Sequence, residues 1–138
     1  MPRKDTFHEA VRDALIKQGW IITHDPYLLE YHREPLYVDL GAELPLAAER
    51  EGRKIAVEIK SFLGKSTITD LYHALGQYIL YRLLLGRNEP ERTLYLAMPT
   101  EAFDAVLEGA EGEALIVKEN LKLLVFDVNL QVVEKWIE

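Results

Sequence analysis

The sequence contains no cysteine. That excludes a disulfide framework and any thiolate metal site, and it fits a reducing, cytoplasmic setting. Long apolar runs are also missing. The longest, around Tyr78 to Leu85, is interrupted by Arg82 and is far shorter than the roughly 20 residues that span a bilayer. The opening "MPRKDTFHEAV" has no apolar core of a signal peptide, so no membrane contact is expected. Excess positive charge is the third absence: the net charge is −7. Phosphate neutralisation supplies most of the affinity of free-standing nucleic-acid binders, so this balance counts against strong DNA binding by the chain alone. It leaves room for a local basic patch, a metal-bridged substrate or a partner that supplies the contacts. Repeats, low-complexity tracts and linkers are absent too. What remains is 138 residues, 49% apolar and 28% charged, suited to a single domain, 1–138, with one core.

The pattern alternates between helix and strand signals. "TFHE" places Glu9 three residues after Thr6, a capping-box spacing, and Phe7, Val11, Ala14 and Leu15 then recur at helical intervals up to Gly19. "WIITHDP" reads as a strand closed by the Asp25-Pro26 turn. "YLLEYHREPLYVDLGAE" reads as an irregular segment or short helix leading into a strand near Leu36 to Leu40. A hairpin follows: Leu46 to Arg50, a turn at Glu51-Gly52, and Lys54 to Lys60 returning. The longest helix is predicted from Ser66 to Gly86. "RTLYLAMP" is a strand, and "TEAFDAVLEGAEGEALIVKEN" is two short helices broken near Gly109 and Gly112. "LKLLVFD" and "VVEKWIE" are strands joined around Asn129. This order predicts an α/β (α+β) fold, a mixed central sheet flanked by helices.

Within "RKIAVEIKSF" lies an oddity. Alternation puts Ile55, Val57 and Ile59 on one face and Ala56, Glu58 and Lys60 on the other, an acid and a base side by side. Either that face is solvated, with cross-strand partners such as Glu49 or Arg50, or the strand delivers a charged pair to a site. Two carboxylates on neighbouring strands bind Mg²⁺ or Mn²⁺, and a lysine beside them can orient an attacking water and offset charge in phosphoryl transfer. The natural second acid is Asp39 in "LYVDLGAE". The 19 residues from Asp39 to Glu58 leave room for a strand, a bend and a hairpin. On the long helix, Asp70, His73, Gln77 and Tyr81 share one stripe, while Leu71, Leu75, Tyr78, Ile79 and Leu83 fill much of the rest.

Asp39, Glu58 and Lys60 resemble the catalytic signature of the PD-(D/E)XK nuclease-like fold, the restriction-endonuclease-like core, with Val38 where that signature has proline. Gln77 with Tyr81 resembles the Q-x-x-x-Y motif of its RecB-like members, 17 residues beyond Lys60, and Glu9 matches an acid that some members carry on their first helix. "FHEAVRDALIKQGWIITHDP", "YVDLGAE", "AAEREGRKIAVEIKSF", "ALGQYILYR", "ERTLYLAMP" and "VVEKWIE" together are similar to the XisH family, fdxN element excision controlling factors found mainly in cyanobacteria. The resemblance implies a role in excising a DNA element during programmed rearrangement. It also implies a site-specific recombinase and a small XisI-like protein as partners.

Structural readings stand beside these. The capping box accounts for Glu9 without a site. Gln77 and Tyr81 also suit the edge of a packed helix. His73 reads as a surface or packing residue, His24 as strand-end packing, and His8 and His32 carry no signal. Trp136 and Ile137 either complete the core or form a patch for self-association or a partner. Two classes of function follow. One is a metal-dependent DNA endonuclease, with Asp39 and Glu58 holding the metal and Lys60, Gln77, Tyr81 and Glu9 around it. The other is an inactive nuclease-like scaffold that docks a partner.

Overall fold

The computed structural model describes residues 5–46 and 52–138. Helix α1 (His8–Lys17) is followed by strands β1 (Ile21–His24), β2 (Tyr27–Tyr31), β3 (Glu34–Val38), β4 (Leu40–Leu44) and β5 (Arg53–Ile59). Helix α2 (Thr67–Asn88), strand β6 (Arg92–Pro99), helices α3 (Thr100–Val106) and α4 (Ala110–Lys118), and strands β7 (Leu123–Asp127) and β8 (Val132–Ile137) complete the chain. Six strands form one mixed sheet in the order β1-β4-β5-β6-β7-β8, with β5, β6 and β7 parallel and the outer pairings antiparallel. The expected α/β architecture is therefore present.

Alternation along β5 divides the core between the two faces of the sheet. Ile55, Val57 and Ile59 pack with Val11, Leu15, Trp20 and Phe126 on the α1 side. Ala56 belongs to the other layer, with Leu71, Ala74, Tyr78 and Leu85 of α2 and Phe103 of α3. Parallel pairing of β5 with β6 requires a crossover, and α2 is that crossover. Ser66 caps it, its Oγ accepting from Thr69 N at 3.2 Å. The helix runs two residues past Gly86, to Asn88. Leu71 and Tyr78 are buried in the core, while Ile79 and Leu83 are about half exposed. Trp136 completes the core: it packs on Trp20 and Tyr95, and its Nε1 donates to Gln18 Oε1. Ile137 packs on the opposite layer.

Three local expectations need correction. The start of α1 is not a capping box on Thr6; Phe7 is the cap residue, and Phe7 N donates instead to Asp5 Oδ1 at 3.0 Å. No helix or irregular segment fills 27–38; a β2–β3 hairpin does, turned at His32 and Arg33 with φ of 49° and 66°. Both central residues of such a two-residue turn need positive φ, which Asn-Gly usually supplies. The hairpin strand opposite β5 is Leu40–Leu44, in the register Leu40↔Val57 to Leu44↔Arg53. The expected strand through Arg50, its Glu51 turn, and Glu49 and Arg50 as partners lie outside the described residues.

At the end of the sheet away from Glu58, buried Arg92 anchors the hairpin. It donates to Glu89 Oε1 through Nε at 2.7 Å and to the Ile55 carbonyl through Nη1 at 2.8 Å. Glu89 accepts from Tyr27 Oη at 2.8 Å, and Asn88 Nδ2 donates to the same phenol. The Arg92 guanidinium holds the Glu89 carboxyl down to about 2. These bonds fasten β2 onto α2 and so fix the path of the chain into Asp39.

Candidate functional site

Asp39 is the bend between β3 and β4, one residue before the Leu40↔Val57 pair. Antiparallel register therefore sets it opposite Glu58, the penultimate residue of β5. Its Oδ2 accepts from Ile59 N at 2.7 Å, which replaces a ladder bond and pins the carboxylate at the strand end. Glu58 points to the α2 face. A solvated strand would leave it in water; here it is only 5% exposed, because the helix lies over it. Its Oε1 is buried with no hydrogen-bond partner among the described residues. Lys60 follows the strand, tied by Lys60 N to the Ala97 carbonyl at 2.9 Å, and its Nζ lies 3.5 Å from Glu58 Oε2.

Electrostatics follow from that placement. Burial pushes the Glu58 carboxyl well above the usual range, the Asp39 charge pushes it further, and the Lys60 ammonium only partly opposes this. Burial also raises Asp39, against the Ile59 N–H that favours its charged form. The pair holds a proton more readily than two separate carboxylates would. Tyr81 is buried on α2 with its phenol raised, first by burial and then by the charges of Glu58 and Asp39. Gln77, one turn earlier, has its Oε1 buried and without a hydrogen-bond partner among the described residues.

Glu9 lies exposed in the first turn of α1. The groups that act on Asp39 from this region are His8 and Asp5 instead. His8 is buried, its Nε2 2.8 Å from Asp25 Oδ1, while Arg12 Nη1 donates to Asp25 Oδ2 at 2.7 Å. Asp5 accepts from Ser61 N at 3.1 Å and from Ser61 Oγ, clamping the chain directly after Lys60. Neither carries a local pattern: α1 and the end of β5 are some fifty residues apart and meet only in the fold. His73 is exposed on α2 and lines a cleft of about 200 Å³ with Asp5, Lys60, Ser61 and Asp70. Asp70 accepts from Gly64 N at 3.0 Å, which closes the loop from β5 into α2.

The donor set fits a hard cation. Mg²⁺ or Mn²⁺ needs one or two carboxylates and keeps several waters. Asp39 and Glu58 would supply two, and Glu58 Oε1, without a partner among the described residues, is a buried acceptor that such an ion would satisfy. No cluster of three or more acidic, histidine or cysteine ligands occurs among the described residues, so the remaining positions would fall to water and backbone. No helix among them is long and apolar enough to cross a membrane.

Comparison with known proteins agrees with the resemblance to the XisH family. The family model described as "XisH protein" matches residues 1–134. An XisH family protein from Nostoc punctiforme PCC 73102 is 41% identical, with a TM-score of 0.84 over 97% of this chain and 100% of that one. A fdxN element excision controlling factor protein from Anabaena variabilis is 40% identical, also with a TM-score of 0.84, over 98% and 100% of the two chains. No curated protein matches. The chain belongs to the XisH family.

Proposed function

From that membership, we propose that the protein is an accessory factor for excision of a DNA element that acts through a divalent-cation-dependent phosphodiester site at Asp39, Glu58 and Lys60. The single observation that carries the reading is buried Glu58 set opposite half-buried Asp39, with Lys60 Nζ 3.5 Å from Glu58. Burying two carboxylates together is unfavourable unless something positive joins them. Lys60 alone leaves Glu58 Oε1 unsatisfied.

Asp39 and Glu58 would hold Mg²⁺ or Mn²⁺, which when bound neutralises charge building on the scissile phosphate. Lys60, partly open to solvent at the strand end, orients the attacking water and faces the developing negative charge. Tyr81 and the free Gln77 Oε1 line the side covered by α2, where Gln77 accepts a hydrogen bond from that water. Ligands of open α/β sheets bind beyond the carboxyl ends of parallel strands, which is where β5 delivers these groups. The PD-(D/E)XK assignment of the core rests on this constellation.

The net charge of −7 favours a second reading, a nuclease-like scaffold that docks an XisI-like protein or a recombinase and leaves DNA contacts to it. Nicking of supercoiled plasmid with Mn²⁺ separates the two. The proposal expects nicking by the wild type, and at least a hundredfold loss in Asp39→Ala and Glu58→Ala, since each removes a cation ligand. Equal nicking by Glu58→Ala overturns the assignment. A partner complex that persists in both variants, with no nicking by the wild type even when the partner is present, supports the scaffold reading.

A further inference from the structure

Helix α1 brings a further polar group to the carboxylate end of the sheet. His8 opens the helix and is only 3% exposed. His8 and Arg12 stand four residues apart and so share one face of α1. Both reach Asp25: His8 Nε2 lies 2.8 Å from its Oδ1, and Arg12 Nη1 donates to its Oδ2 at 2.7 Å. Glu9, one residue on, is turned about 100° away and stays exposed. Asp25 in turn is placed by the sheet. The pair His24↔Gly41 carries the end of β1 to the start of β4, which Asp39 immediately precedes. Asp39 is close enough for its carboxyl to respond to a charge on His8.

One atom of this array is left over. His8 Nδ1 is buried with no hydrogen-bond partner among the described residues. Buried polar atoms in folded proteins nearly always have a partner, so the exception marks a place for a group that the chain does not supply. The other side of the ring says which kind. The Asp25 carboxylate, paired with Arg12, favours the ring proton on Nε2. A neutral ring then presents Nδ1 as an acceptor, and the missing partner is a donor. A water that hydrates a divalent cation is such a donor, and the proposed ligand Asp39 lies at the same end of the sheet. We infer, on the strength of the cation site proposed above, that His8 is a positioning residue of that site: Asp25 and Arg12 fix its ring, and its Nδ1 accepts a hydrogen bond from a water that hydrates the ion held by Asp39. Helices α1 and α2 cover opposite faces of the sheet, so His8 acts from the face that α2 does not cover.

Two substitutions in the full chain divide the two nitrogens. In His8→Gln the amide takes the place of Nε2 and still reaches Asp25, but nothing replaces Nδ1. In His8→Asn the amide takes the place of Nδ1, and the Asp25 contact is lost. Titration calorimetry with Mn²⁺ reads the cation site, and thermal melting of the metal-free protein reads the contact with Asp25. His8→Gln is expected to melt near the wild-type temperature and to bind Mn²⁺ about tenfold to a hundredfold more weakly, the usual effect of losing a group that orients a metal's surroundings. His8→Asn is expected to melt lower and to keep most of the wild-type affinity. The reverse order, with His8→Asn the weaker binder, gives His8 a role in the fold alone and overturns the inference. Equal affinities in the two variants overturn it as well, whether both bind like the wild type or both bind weakly. A wild type that binds no Mn²⁺ is a separate failure, which removes the Asp39–Glu58 site itself and the role of His8 with it.

Discussion

At the scale of single residues, Glu58 shows how a strand turns pattern into chemistry. A polar residue at an alternate position of a β-strand is ordinary on an open face; α2 covers this one. With both values raised in the folded state, the pair holds a proton more readily in the folded protein than in the unfolded chain. The stability contributed by these groups is present below the ordinary carboxylate range and is lost as pH rises through their raised values. Glu58→Gln should therefore make the metal-free protein more stable at pH 7.5, by about 1 kcal/mol as is common for substitutions that relieve a functional site. The advantage should shrink as the pH is lowered. Urea unfolding of both proteins at two pH values measures it, and a less stable variant at pH 7.5 would contradict the account. Asp39, Glu58 and Lys60 were legible in the sequence because strand alternation and an upstream acid suffice to suggest them. Asp5 and His8 were not, because their approach to Asp39 is a matter of tertiary packing. Glu9 stands exposed in the first turn of α1.

At the scale of elements, legibility followed the strength of local signals. The Ser66 cap and the strong helix formers of α2, and the apolar runs of β6 and β7, give unambiguous patterns. The β2–β3 hairpin does not, because His32 and Arg33 make its turn in a conformation that glycine or asparagine prefers. Arg33, at φ 66°, bears that strain without a glycine's freedom. Arg33→Gly should stabilise the protein by about 0.5–1 kcal/mol, read as a higher melting temperature. A lower one would mean that the Arg33 side chain holds the turn. Gly112 presents the opposite case. It sits inside α4 with the Leu107 carbonyl against its Cα, where any Cβ would overlap that backbone oxygen. Gly112→Ala should force α4 away from the end of α3 and destabilise by about 2–3 kcal/mol, despite alanine's better helix propensity. An unchanged urea midpoint would show that the α3–α4 connection yields freely.

At the scale of the whole molecule, the six-stranded sheet reconciles an acidic chain with a reading that involves DNA. The long crossover α2 covers Glu58 on one side and leaves apolar side chains about half exposed on the other. The mixed topology was legible from the order of elements, since a strand, a long helix and a strand imply a parallel pair. The order β1-β4-β5 was not, because it depends on a hairpin set aside from the main sheet. The central claim is that Asp39 and Glu58 form a divalent-cation site, and it can be tested without any substrate. Titration calorimetry of the purified protein with Mn²⁺ addresses it most directly, with Asp39→Asn and Glu58→Gln alongside. The account predicts one site per chain in the wild type, proton release on binding that grows as the pH is lowered toward the carboxylate range because the pair gives up the proton it holds, and loss of that site in both variants. Mn²⁺ binding that both variants retain, or none by the wild type, would contradict it.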